Sequence, residues 1–196
     1  MRIVTYGAAC TLDGFIAGED GSLDWLHFSA DVQQEMTRYW ATIDTLLMGR
    51  KTWEVAARSG GGGGGESSSD IRTFVFSRTL KETTHPGVTL VSTDAGAFVR
   101  DLKRRKGKGI CVLGGGDLAS SLFAAGLIDE VGFNMHPILL GRGVPLFVDP
   151  GRRVKLALKE CRTIHGGCVL ATYRVLASRH KAEGSASGAG RRLQRA

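Results

Sequence analysis

The chain has 196 residues, 42% hydrophobic and 23% charged, a composition that supports one globular domain around a buried core. Its net charge of +7 would suit a nucleic-acid partner, but Arg179, Lys181, Arg191, Arg192 and Arg195 against Glu183 put +4 of it after residue 178, so a nucleic-acid partner is not expected. Four cysteines (Cys10, Cys111, Cys161 and Cys168) with no C-x-x-C pair exclude a disulfide scaffold, and without a secretory leader or an apolar run of about 18 residues the expectation is a reduced cytoplasm and no membrane.

In chain order, "RIVTYGAAC" (2–10) is a short β-branched and aromatic run and predicts the first strand. "SADVQQEMTRYWATI" (29–43) has helical spacing, with Ser29 or Asp31 as its N-cap. "TLLMG" (45–49) predicts a strand that runs into Gly49-Arg50-Lys51-Thr52 and then a helix from Trp53. "SGGGGGGESSSD" (59–70) has six consecutive glycines and four serines and predicts a mobile loop. "RTFVFS" (72–77) and "GVTLVS" (87–92) are strands, and "TDAGAFVRDLKRR" (93–105) is a helix capped by Thr93 or Asp94. "GICVLGG" (109–115) is a strand followed by the helix "DLASSLFAAGL" (117–127), with Asp117 as its cap, and by the strand "DEVGFNMH" (129–136). "VKLALKECRTIHGGCVLATYRVL" (154–176) predicts a hairpin turning at His165-Gly166-Gly167, and residues 178–196 a disordered basic tail. The domain is therefore expected over residues 1–177. Alternating strands and helices imply an α/β fold of three layers, α/β/α, with a mostly parallel sheet and an antiparallel C-terminal edge.

Three strand ends carry the chemistry. In an open α/β sheet, ligands bind beyond the strand C-termini, where a helix start offers unpaired N–H groups to an anion. Gly49, Arg50, Lys51 and Thr52 place two cations and a hydroxyl at such a start, where cations without an anion to meet are unfavourable. Gly114, Gly115 and Gly116, followed by Asp117 and Leu118, form a turn whose backbone can approach a pyrophosphate. It matches neither G-x-G-x-x-G nor the P-loop motif, and a tight packing turn is the plainer alternative. Ser77 and Arg78 end a third strand and suit a further phosphate.

Taken in order, "CTLDGFIAGEDGSLDWL", "LLMGRKTWE", "FVFSRTL" and "LGGGDLASSLFAAGLIDEVGFNMHPILLGRGVPLF" resemble the dihydrofolate-reductase-like superfamily. They are most similar to single-domain proteins of the family that shares the reductase domain of the bifunctional riboflavin-biosynthesis enzyme. That resemblance implies a mixed sheet of about eight strands, NADPH as cofactor, a small-molecule substrate and a homodimer. By position it implies that Gly49, Arg50, Lys51, Thr52, Ser77 and Arg78 hold the adenosine 2′-phosphate, and that Gly114 to Leu118 hold the diphosphate. Ala9 and Ile16 would lie at the nicotinamide, with Asp13 and Trp25 in or beside a loop that closes over the substrate. Asp31 stands where the folate enzymes place the carboxylate that meets the pterin, with Glu35 one turn on as a second choice.

Against the family pattern, the chain lacks the H-x-E and P-C-x-x-C of a zinc deaminase, so a reductase alone is expected, with no metal. The glycine loop stands where the riboflavin reductases carry a "DDP"-like segment, and Arg72 is displaced from the folate enzymes' glutamate-binding arginine. The implied substrate is a heterocycle of the phosphoribosylamino-uracil or pterin type. The alternative is a regulatory domain that keeps the nucleotide site without turnover. "KRRKGK" (103–108), at a helix end, is expected to be a solvated face, and His136 and His165 to be structural.

Overall fold

A computed structural model describes residues 1–58, 70–83, 85–164 and 166–177. The glycine loop apart from Asp70, the hairpin residue His165 and the basic tail lie outside the described residues.

Ten strands and four helices follow in the order β1 (Val4–Thr11), β2 (Phe15–Ala17), α1 (Ala30–Trp40), β3 (Ile43–Gly49), α2 (Arg50–Arg58), β4 (Arg72–Phe76), β5 (Val88–Val91), α3 (Ala95–Arg104), β6 (Gly109–Leu113), α4 (Gly116–Ala124), β7 (Glu130–His136), β8 (Val144–Pro145), β9 (Leu156–Thr163) and β10 (Val169–Val175). Eight strands form one sheet in the order β5-β4-β3-β6-β1-β7-β10-β9. The first six run parallel, and β10 joins β7 and β9 antiparallel, as the C-terminal hairpin predicts. The fold is the three-layer α/β/α arrangement of the dihydrofolate-reductase-like proteins.

Side chains alternate along each strand, so a strand covered on both faces reads as a continuous apolar run. In β3, Leu47 packs with α3 and α4 residues such as Leu102 and Leu122, while Leu46 and Met48 pack on the other face with Trp53 of α2. The two core clusters are these two faces. Truncating Leu47, wholly buried in the central layer, should cost about 2–5 kcal/mol.

Helix starts differ from expectation in one place. Ser29 caps α1 by accepting from the N–H of Val32, and Asp94 caps α3 by accepting from that of Ala97. Asp117 does not cap α4: Gly115 holds that position in the left-handed region, and Asp117 lies in the first turn. The glycine's backbone freedom makes the turn one residue earlier than the side-chain cap would.

Two further corrections concern loops and charge. The segment after β1 is partly strand: β2 pairs antiparallel with β8 as a separate two-stranded sheet. So short a strand, formed by two distant segments, has no periodicity to detect. In "KRRKGK", Lys103 is not solvated but buried, donating to the Leu127 carbonyl at 3.2 Å and ion-paired with Asp129. Among the described residues, no helix is long and apolar enough to cross a membrane.

Candidate nucleotide cleft

Two helices begin where parallel strands end, and neither has a side-chain cap. β3 passes into α2 with no intervening residue; Gly49 has no side chain to cap with, and no acidic residue lies in the first turn. α4 starts after Gly115, whose position likewise gives no side-chain hydrogen bond. The first N–H groups of both helices are therefore left to a ligand or to water.

The glycines bring these starts together. Gly114 and Gly115 have φ of 51° and 67°, a region that other residues adopt only with strain. A Cβ on Gly115 would lie 3.0 Å from Thr52 Oγ1 and 3.9 Å from the Gly49 amide nitrogen. One on Gly114 would lie 3.2 Å from Thr52 Cγ2 and 3.8 Å from Ile16 Cδ1. The β6–α4 turn, the β3–α2 turn and β2 thus meet within van der Waals reach. Gly116 serves packing instead, since its Cβ would fall 2.7 Å from Val148 Cγ2.

Charge follows the same geometry. Arg50 is tied to Glu54 one turn along α2 at 2.6 Å, whereas Lys51 and Arg78 make no ion pair among the described residues. Ser77 Oγ accepts from the N–H of Leu80 at 2.8 Å and of Thr79 at 3.2 Å and lies 3.5 Å from the Thr79 hydroxyl, which fixes the strand-end turn. Leu118 is buried in the core, so it offers backbone alone, and Asp117 is exposed beside it.

All of these positions line one cleft of about 1910 Å³, which also takes in Ala9 and Ile16. Three residues expected at the substrate are not among those lining it: Asp13, Trp25 and Asp31. Asp13 instead pins the β1–β2 turn to the loop before β8. Its carboxylate accepts from the N–H of Gly141 at 2.8 Å and of Leu140 at 3.1 Å and from the Thr11 hydroxyl, and these bonds hold it below the ordinary aspartate range. Trp25 is buried edge-on against His136, ring centroids 5.4 Å apart. Asp31 is exposed in the first turn of α1, one residue from the cleft-lining Val32.

Glu35 does line the cleft. It is ion-paired with Arg162 of β9 through both oxygens and with Arg38 at 2.7 Å, and these arginines hold its carboxyl below the usual glutamate range. A carboxylate so held is a poor proton donor. His136 has Cys168 Sγ 3.5 Å from Nδ1 and is pushed toward its neutral form by burial and by His27. Two cleft-lining polar groups escaped the sequence reading: the Tyr39 hydroxyl and Asn134 Oδ1 are buried without a hydrogen-bond partner. The Tyr39 hydroxyl lies beside Gly7, and Asn134 is two residues along β7 from Gly132; a glycine inside a strand is the sequence signal that could have found them. Among the described residues, no group of three or more His, Cys, Asp or Glu side chains could hold a metal ion.

The RibD C-terminal domain model matches residues 2–170. The chain belongs to that family. It is 32% identical over 184 residues to the uncharacterized protein YyaP of Bacillus subtilis (strain 168), covering 88% of this chain and 95% of that one. Among solved structures, a protein from Shewanella sp. PV-4 assigned to riboflavin biosynthesis is similar at 26% identity and TM-score 0.77, over 89% of this chain and 99% of that one. The dihydrofolate reductase of Enterococcus faecalis, complexed with NADP(H), shares the fold at TM-score 0.63 and 16% identity, over 88% and 96% of the two chains. At family level this is a reductase fold.

Proposed function

We propose that the protein is an NADPH-dependent reductase of a small heterocyclic substrate. The observation that carries this reading is the meeting of two uncapped helix starts, at Gly49–Thr52 and Gly114–Gly116, in a cleft where Lys51 and Arg78 have no ion pair among the described residues. A dihydrofolate reductase of the same fold is complexed with NADP(H), which supports the same assignment. When bound, NADPH supplies a hydride.

In this reading Lys51, Arg78, Ser77 and Thr52 receive the 2′-phosphate, and Arg50 joins them by leaving Glu54. A phosphate ester of nearly two charges rewards charge-assisted donors, each worth about 1.5–3 kcal/mol. The backbone of Gly114 to Leu118 receives the diphosphate at the positive end of α4. Asp117, exposed in that first turn, stays at its edge and turns toward solvent. Ala9 and Ile16 flank the nicotinamide, where small and apolar side chains leave room for a flat ring and exclude water. The substrate then lies against α1. Asp13 and Trp25 act through the loops they anchor, and Asp31 acts at the mouth of α1. A homodimer in the cytoplasm is part of the same proposal.

A second reading is a nucleotide-binding domain without turnover. It is favoured by the arginine-bound state of Glu35, the carboxylate of α1 that does line the cleft. Stopped-flow absorbance at the NADPH band, with dihydropterin and pyrimidine substrates offered to the protein, separates the two. Substrate-dependent oxidation supports the reductase; tight NADPH binding with no oxidation across that set supports the second reading.

A further inference from the structure

The other end of the cleft is built on two glycines. Gly7 of β1 and Gly132 of β7 are directly paired in the centre of the sheet. Neither has a positive φ. A Cβ on Gly7 would meet Cys111 Sγ and the Gly132 carbonyl at 3.8 Å and the Tyr39 hydroxyl at 4.0 Å; on Gly132 it would meet Thr5 Cγ2 at 3.7 Å and Thr172 Oγ1 at 3.9 Å. These are ordinary contacts, so neither backbone strain nor a clash explains the glycines. A glycine inside a strand weakens it, and one recognised reason to keep it is the close approach of a ligand.

The groups around this floor are polar and incomplete. The Tyr39 hydroxyl interacts with the Cys111 thiol and the Thr5 hydroxyl, neither in full hydrogen-bond geometry, and burial keeps the phenol protonated, hence a donor. Asn134 Oδ1, one pleat further along β7, is a buried acceptor also without a partner. A buried donor and acceptor left unpaired are costly, and a ligand bearing the complementary pair removes that cost.

The charge at this end contrasts with the phosphate end. Arg38 and Arg162 are both engaged by Glu35, Arg162 also by Glu160, and Lys159 by Glu130 at 2.6 Å. An anionic group here would have to displace a carboxylate from its arginine or lysine.

We propose that the floor over Gly7 and Gly132 is the ring subsite of the substrate, that Tyr39 and Asn134 bind the donor–acceptor edge of a flat cyclic amide, and that the substrate carries no phosphate or carboxylate at that end. The proposal rests on the reductase reading and narrows its substrate to uncharged heterocycles. It disfavours a phosphoribosyl substrate in this chain.

The test uses pterin and pterin-6-carboxylate, two fluorescent probes that differ by one anionic group. Each is titrated into the full chain with and without saturating NADP+, beside an NADPH titration, and repeated with Gly132→Ala and Tyr39→Phe after a thermal melt confirms folding. Gly132→Ala has room for its methyl, so it should block the floor without unfolding the protein. Pterin is expected to bind, and to bind about tenfold more weakly to Tyr39→Phe, the loss of one buried hydrogen bond. Gly132→Ala should weaken it at least as much, and pterin-6-carboxylate should bind the unaltered protein about tenfold more weakly than pterin, with NADPH affinity unchanged throughout. No pterin binding, pterin binding by both variants as tight as by the unaltered protein, or a carboxylate probe that binds as tightly as pterin would overturn the subsite. A failure of NADPH to bind the unaltered protein counts against the reductase reading, whatever pterin does.

Discussion

The four helices among the described residues start in two ways. α1 and α3 close their first turns with Ser29 and Asp94, whose side-chain oxygens take up a backbone N–H. α2 and α4 follow Gly49 and Gly115, which have no side chain to offer, and they meet at Thr52. Capping stabilises a helix at little cost in sequence, so two bare starts, side by side and near two cations without an ion pair among the described residues, fit the anion we propose there. The difference teaches where to look for a ligand: side-chain caps stabilise the fold at α1 and α3, and the bare starts of α2 and α4 are where we propose that one binds.

Removing the cations should break the contrast most sharply. Lys51→Ala combined with Arg78→Ala should lower NADPH affinity by roughly a hundredfold and leave NADH affinity unchanged, since each charged hydrogen bond contributes about 1.5–3 kcal/mol. Parallel fluorescence titrations would check it. Next is Gly115→Ala, which puts a methyl group in the left-handed region and near Thr52, at a cost of about 1–2 kcal/mol. Its melting temperature should drop by about 2–8 °C, and its nucleotide affinity should fall with it. On the capped side, Asp94→Ala should cost about 1 kcal/mol of stability in a denaturant melt and leave nucleotide affinity untouched.

The smallest effect lies at the other end of the cleft. The Glu35 carboxyl is depressed in the folded protein by Arg162 and Arg38, so its contribution to stability is present above the ordinary value of 4.5 and is lost as pH falls through the lower folded-state value. Glu35→Gln should therefore be less stable than the unaltered chain at neutral pH. In thermal melts taken as a pH series, that gap should close as the solution is acidified below 4.5.

Much of this was legible in the residues. Long apolar runs such as "TLLMG" and "GICVL" fixed the parallel strands, because a strand covered on both faces needs no alternation to be recognised. The two helix starts at Gly49–Thr52 and Gly114–Gly116 were legible too, because each is a local sequence, and the nucleotide we propose for them rests on that placement. What was not legible depends on tertiary neighbours. β2 and β8 exist only because two distant loops pair, Lys103 is buried only because Asp129 reaches it, and Asp13 finds its partners in the backbone at Leu140 and Gly141. The ring end we propose was not legible for the same reason: Gly7, Gly132, Tyr39 and Asn134 come from three elements, and none is a motif alone.

The central claim is that the bare start of α2 holds the 2′-phosphate of NADPH and the bare start of α4 its diphosphate. Trp53 follows Thr52 directly in α2, so intrinsic tryptophan fluorescence reports from beside the site. We would titrate the unaltered chain with NADPH and NADH in parallel and repeat both with Lys51→Ala and with Arg50→Ala. The account predicts tighter NADPH binding in the unaltered chain and a preference that is lost with Lys51→Ala and reduced with Arg50→Ala, whose side chain must first leave Glu54. Equal affinity for the two nucleotides in the unaltered chain, or no binding of either, would contradict it.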